Sequence, residues 1–383
     1  MTYTPARIEH IDDVLPHVEG RQEFGIHHKD GYSVIDYHYV LPDSFDNPYR
    51  LECRGIKFGP DGGILARPFG KFFNVGEKPE ATGENLDLSR PHIVMEKMDG
   101  SMIHPAIVDG QVCFMTRMGR TDVARKAERH LSRELAYECE TWLRAGVTPI
   151  FEFVAPDNRI VIQYARSELY LLAIRHTVSG EYTTHETIIR AAEAMQVYPA
   201  PVHVVPRDPQ AFLAHARSVK GLEGFVIRFA DGFMVKAKGE DYVLKHRAKE
   251  SVLQEKNVLA LIVRDELDDV LPLLDPIDRT NVERYRADVL AGIAESRDII
   301  AQIVEAGKDA DQKTFATVLL KDVIPQVRSL AFQVRAGVNA REAILSSIIK
   351  NAGSASGVDH VRPLFNATFH AANDNNQVAD VAA

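Results

Sequence analysis

From Gly31 to about Lys245 the apolar residues come in short runs or alternate with polar ones, broken by turn formers. Successive side chains of an extended chain point to opposite faces, so such runs predict half-buried strands. Three Asp-Gly pairs fall between them: Asp61-Gly62, Asp109-Gly110 and Asp231-Gly232. Asp-Gly between strand-like runs signals a hairpin, because both central residues of a tight turn need positive φ. "MIHPAIV-DG-QVCFMT" and "GFVIRFA-DG-FMVKAK" are therefore predicted hairpins. The apolar spacing turns helical in "DVARKAERHLSRELAYECETWLR" and in "THETIIRAAEAMQ". Antiparallel hairpins with inserted helices make this part α+β rather than an alternating β-α-β fold.

After about Arg247 the period changes. In "NVERYRADVLAGIAESRDIIAQIVEAG", Val282, Tyr285, Val289, Ile293, Ile300 and Val304 recur at mostly helical spacing. Helical segments are also predicted around 314–321 and 340–350, and hairpin signals nearly vanish. The pattern divides the chain into a mixed domain over 1–247 and an all-helical domain over 248–370. The polar, small-residue stretch 371–383, "AANDNNQVADVAA", is expected to lack order.

Composition adds bounds. The chain has 383 residues, 45% hydrophobic and 26% charged, which suits two or three soluble domains with their own cores. Cys53, Cys113 and Cys139 are far apart and lack CxxC spacing, so neither a disulfide framework nor a cysteine-rich zinc site is expected. The amino terminus reads as neither signal peptide nor membrane span, which makes cytoplasm the expected location. A net charge of −9 argues against non-specific coating of nucleic acid but leaves room for a local basic groove. Arg117 to Arg133 and Lys236 to Lys249 are locally basic; each is also what a solvated helix or strand face looks like.

Candidate chemistry gathers around "MEKMDGSMI". Ile93, Val94 and Met95 lead into Lys97, two places before Asp99-Gly100. Lys-x-Asp-Gly alone is too short to carry a function, and Lys97 could be a surface lysine beside a turn. Further along lie Arg54-Gly55, Lys71 in "RPFGKFFN", Glu152 inside an apolar run, Glu223-Gly224, and Lys236-x-Lys238. With a two-residue turn at Asp231-Gly232, Ala230 would pair with Phe233, Ile227 with Lys236 and Phe225 with Lys238. Paired residues share a face. Glu223, Phe225, Ile227, Lys236 and Lys238 are then expected together on one side, as a pocket floor with cations aimed at phosphate.

The ordered set "KMDG", "FEFV", "LEGFVIR" and "MVKAK" resembles the covalent nucleotidyltransferases, the polynucleotide ligases and mRNA capping enzymes. Taken with "LECRGIKF", "RPFGKFFNVGE" and "FEFVAPDNRIVIQY", residues 45–250 look most like the bacteriophage RNA ligase 1, or tRNA-repair, family. The resemblance is weak before Gly31 and vague after residue 260. It implies an ATP-dependent RNA ligase joining 5′-phosphate and 3′-hydroxyl RNA ends. Lys97 would take AMP from ATP, pass it to the RNA 5′-phosphate, and AMP would leave as the ends join. Attack needs an unprotonated lysine, favoured by neighbouring cations and metal. Arg54, Lys71, Lys236 and Lys238 would hold phosphates, with Arg117 as a further contact. Glu152 and Glu223 would sit at Mg²⁺ or Mn²⁺, directly or through water, and Glu152 could instead hold the ribose. Phe225 and Tyr170 are aromatic candidates for the adenine, against ordinary places in the core.

Other readings stay open. Superfamily members that cap RNA or join DNA ends carry a β-rich OB-fold where this chain reads helical. The zinc finger of NAD-dependent ligases needs more cysteines than this chain has. A degenerate fold that only binds RNA would not need every charged motif residue. Asp268 and Asp269 read as a second metal site or as a solvated helix end. RNA ends, cleaved tRNA among them, are the expected partners of a monomeric, cytoplasmic enzyme.

Overall fold

The computed structural model describes residues 4–370, so the carboxy-terminal stretch 371–383 lies outside the described residues. The chain forms two compact units, one ending at Val243 and the other beginning at Leu244.

The first unit is α+β. Its strands are β1 (Phe24–Lys29), β2 (Tyr32–Tyr37), β3 (Ile56–Phe58), β4 (Ile64–Ala66), β5 (Phe73–Asn74), β6 (His92–Glu96), β7 (Ser101–Val108), β8 (Gln111–Met115), β9 (Val147–Val154), β10 (Glu168–His176), β11 (Tyr198–Pro199), β12 (Gly224–Phe229) and β13 (Met234–Lys238). They build three sheets: β1-β2-β3-β4, β11-β10-β9-β7-β8, and β5-β13-β12-β6. Phe69, Ile150, Ala173 and Met234, with Met102 and Val226 beside them, pack the five-stranded sheet against β12 and β13. Residues 198–203 run between these sheets: β11 pairs with β10, and Met95 bridges Val202 beside β6.

The two predicted hairpins both form, but their turns differ. At Asp109-Gly110 the φ values are 49° and 75°, and Val108 pairs with Gln111 across a two-residue turn. At Asp231-Gly232 the turn takes in Ala230, and the Phe229 amide donates to the Phe233 carbonyl. The register is therefore Val226 with Lys236, Phe225 with Ala237 and Gly224 with Lys238. One residue of slip exchanges the faces of a strand. Phe225 and Ile227 thus join Val235 and Ala237 in an apolar core, and do not share a face with the two lysines.

The stretch expected as helix around 122–144 is two helices, Asp122–Glu128 and Arg133–Arg144. The Thr121 and Ser132 hydroxyls accept from the Ala124 and Leu135 amides, so each helix has its own amino-terminal cap.

The second unit is helical, with Glu255–Val263, Pro276–Ala306, Pro325–Arg335, Ala340–Asn351 and Ala355–Val361 as its main elements. Pro276–Ala306 has 31 residues, about 46 Å at the usual rise of an α-helix. Asp275 caps it by accepting from Ile277 and Asp278. Val282, Tyr285, Val289, Ile293 and Ile300 are buried along one side, as their spacing predicts. The expected segment at 314–321 is a short π-turn, Phe315–Leu319, after Gln312–Thr314. No helix of the described residues is long and apolar enough to cross a membrane.

Candidate active site

Strand β6 ends in one sheet at Glu96 and β7 begins in the next at Ser101, so residues 97–100 are the elbow between sheets. The Lys97 amide donates to the Gly224 carbonyl at 2.9 Å, tying the elbow to β12. Asp99 is fully buried, and its carboxylate holds three donors. Oδ2 accepts from the Val161 and Ile162 amides at 2.8 and 2.6 Å, and Oδ1 from the Tyr242 hydroxyl at 2.6 Å. Gly100 lies so close to β9 that a Cβ would come within 2.4 Å of the Phe153 carbonyl. The Lys97 side chain therefore projects from a braced bend rather than from a free surface turn.

Glu223 receives that side chain. Its Oε2 lies 2.8 Å from Lys97 Nζ and its Oε1 2.9 Å from Lys238 Nζ. The intervening Gly224 has φ +143°, and a Cβ there would sit 2.1 Å from the Ala237 carbonyl. That backbone departs from strand alternation, so Glu223 reaches the lysines although Phe225 faces the core.

A cationic group surrounds the pair. Burial, then the charges of Lys97, Arg54 and Lys71, push the Lys236 amine down to about 7. Lys71 Nζ lies among the rings of Tyr37, Phe45 and Phe73, at 5.1, 5.3 and 5.7 Å from their centroids. The Arg117 guanidinium lies 4.8 Å from the same Tyr37 ring, and its Nε is 3.0 Å from Asp36 Oδ2. Arg54 Nη1 is 3.6 Å from the sulfur of Met102. Positive charge gathered this closely, with Lys236 mostly buried and Lys97, Lys238 and Arg117 partly open to solvent, suits a polyanion.

Glu152 lies on β9, directly paired with Met102 on β7 and Tyr170 on β10. Burial pushes its carboxyl up to about 7, with Glu223 adding to the effect and Lys97 and Arg54 opposing it. Among the described residues no ion pair reaches Glu152, and no group of three or more His, Cys, Asp or Glu could by itself hold a metal. A buried carboxylate beside Glu223, opposed only by the nearby charges of Lys97 and Arg54 and a backbone donor, has the hard oxygen chemistry that a divalent cation would need.

Lys97, Glu223, Lys238, Lys236, Arg54, Lys71 and Glu152 are thus brought together, and Arg117 joins them through Tyr37. Phe225 is excluded; it lies in the core against Phe212 and His215. Tyr170 shares the Glu152 face, and its ring lies 5.8 Å from that of Tyr198. Asp268 and Asp269 lie in a short turn of the second unit, where Asp268 pairs with Arg286 at 2.7 Å as a solvated helix end would.

Sequence reasoning missed the inner supports. Lys57 is fully buried on β3, and Asp36 is buried on β2. Both sit inside otherwise apolar runs, "GIKF" and "SVIDY", and a charge in such a run is the signal that could have found them.

Comparison with known proteins adds an independent line. A family model described as RNA ligase matches residues 52–253. A Thermovibrio ammonificans protein with a provisional RNA ligase name is 28% identical over 328 residues, 82% of this chain and 85% of that protein. RNA ligase 1 of bacteriophage TS2126 is 29% identical over 311 residues, 76% of this chain and 73% of its own. Among solved structures, an archaeal ATP-dependent RNA ligase covers 89% of this chain and 79% of its own at 14% identity, with a TM-score of 0.45.

Proposed function

The chain belongs to the RNA ligase family, and from that premise we propose that it seals RNA ends with ATP through an adenylylated Lys97. The observation that carries the reading is the Lys97 amine, held 2.8 Å from Glu223 at a braced bend with Lys238, Lys236, Arg54 and Lys71 gathered around it. In the first step Nζ attacks the α-phosphorus of ATP. A P–N bond forms, the bond to the bridging oxygen breaks, pyrophosphate leaves and the amine loses its proton. In the second, an oxygen of the RNA 5′-phosphate displaces Nζ from the adenylyl phosphorus. In the third, a 3′-hydroxyl attacks the activated 5′-phosphate, and AMP departs as the phosphodiester forms.

The residues divide this work by position. Glu223 orients the Lys97 amine and aligns Lys238 beside it. Lys236, Arg54 and Lys71 neutralise the triphosphate, and a bound polyanion favours the charged form of Lys236 against the burial and neighbouring cations that lower it. Arg117 reaches the same phosphates from above Tyr37. Glu152, with Glu223, would hold Mg²⁺ or Mn²⁺, which supplies charge neutralisation to the phosphates when bound. Tyr170 offers a face beside Glu152 on which a purine can stack. Structured RNA ends, cleaved tRNA included, are the proposed substrates of a monomeric enzyme.

The test is covalent labelling with ATP or GTP carrying labelled α-phosphate. ATP is expected to label the wild type and not Lys97→Ala, while the variant still joins RNA that is already 5′-adenylylated. Labelling that survives in Lys97→Ala sinks the assignment; preference for GTP moves the reading to RNA capping. Sealing of nicked DNA in preference to RNA moves it to a DNA ligase.

A further inference from the structure

Lys57 lies in the middle of β3 with no exposed surface. Its Nζ lies 2.5 Å from the Gly55 carbonyl, 2.7 Å from that of Thr116 and 3.1 Å from that of Arg117. Burial pushes the Lys57 amine well below its usual value, with the charge of Asp36 opposing; carrying two hydrogens or three, it can donate to these carbonyls. The amine thus joins two segments about sixty positions apart, each of which ends in a guanidinium of the site.

The junction is tight from the other side as well. Gly55 has φ +83°, and a Cβ there would lie 2.4 Å from the Arg117 carbonyl and 2.8 Å from its Cα. The Arg117 bend is closed by Thr116 and Gly119, whose amides donate to each other's carbonyls. Asp36, buried on the neighbouring strand β2, is paired with Arg117, and Lys57 and Arg54 also act on its charge. Arg54, Lys57 and Arg117 therefore share one buried carboxylate and one backbone junction.

We propose that Lys57 is a positioning residue for nucleotide binding: its amine clamps the Arg54-Gly55 backbone to the Arg117 turn and so fixes the spacing of the two guanidiniums that receive phosphate. A lysine whose only task was to fill β3 would lie among side chains. This one reaches instead to backbone carbonyls of the two loops that carry the guanidiniums, and the Thr116 carbonyl accepts from the Gly119 amide as well. The inference rests on the ligase reading above for the identity of the anion, a nucleoside triphosphate.

The experiment measures single-turnover lysyl-AMP formation against ATP concentration, with thermal melts alongside, for wild type, Lys57→Met, Arg117→Ala and the double variant. Lys57→Met is expected to raise half-saturating ATP about tenfold with a smaller fall in the saturated rate. The double variant should fall clearly short of the product of the two single effects, because the part of the Lys57 effect carried through Arg117 is already lost. Effects that multiply, or half-saturation that stays put while only the melting temperature falls, overturn the proposal. Should Lys57→Met be unfolded at the assay temperature, Lys57→Gln takes its place; it keeps two donors and should show an intermediate shift in half-saturation, and no shift overturns the proposal. A wild type that forms no lysyl-AMP overturns the ligase reading and this inference together; a labelled wild type with an unmoved Lys57 variant overturns this inference alone.

Discussion

The first unit buries Asp36, Glu52, Lys57, Arg67, Asp99 and Arg175, whereas among the described residues of the second unit the buried polar side chains are Asp278 and Ser296. Helices satisfy their own backbone and need only an apolar stripe to pack. The sheets of the first unit also bury charged side chains, and Asp36, Glu52, Arg67 and Arg175 are each set against a fixed partner. Glu52 shows the device. Arg175 Nη1 and Nη2 lie 2.7 and 2.8 Å from its two oxygens, and Arg67 Nε lies 3.2 Å away. Burial alone would raise the Glu52 carboxyl, but Arg175 and Arg67 hold it below its usual range. Its neighbour Leu51 accepts from the Lys71 amide, so the buried network ends one residue from the site.

The contrast is broken most severely at Glu52. Glu52→Gln is expected to cost about 3–5 kcal/mol, because two buried guanidiniums lose their counter-ion. Chemical denaturation of the first unit measures it, and a loss under about 1 kcal/mol would mean that the network is not the support argued here. In the second unit the comparable injury is a cavity. Ile300→Ala should cost about 2–4 kcal/mol while leaving ATP-dependent labelling of Lys97 at the wild-type rate. Loss of labelling in that variant, with the first unit still folded, would erase the distinction between the units.

Truncation after Lys249 sharpens the comparison. We expect a folded chain that still labels Lys97 but no longer favours a nicked tRNA anticodon loop over an unstructured oligonucleotide. Sealing of both RNAs in the unchanged ratio would remove RNA reading from the helical unit. The smallest expected effect is at Glu152. Its folded value, about 7 against the usual 4.5, means that its contribution to stability is present below 4.5 and lost as pH rises through 7. Glu152→Gln, without metal, should therefore melt about 3–5 °C above wild type at pH 8 and at nearly the same temperature at pH 5, while failing to adenylylate. An equal gain at both pH values would show that the carboxyl is not the titrating group.

Much of this was legible from residue order. Period-two runs, Asp109-Gly110 and the stripe from Val282 to Ile300 reflect local geometry, which depends on neighbours within a few residues. The motif residues were legible through the resemblance of their order to the RNA ligase family, and the fold gathers them in one place. What the order of residues could not decide was anything resting on a single register or a distant partner. Asp-Gly is compatible with a two-residue or a longer turn, and the choice of the longer one at Asp231 sent Phe225 into the core and left Lys236 facing Val226. Glu223 reaches Lys97 because Gly224 leaves the strand conformation, a fact of packing against Ala237. Lys57 looks like any lysine in a strand until residues about sixty positions later bring their carbonyls to it. Periodicity is local and survives in one dimension; the partner of a buried charge is set by three-dimensional closure, which only the folded chain supplies.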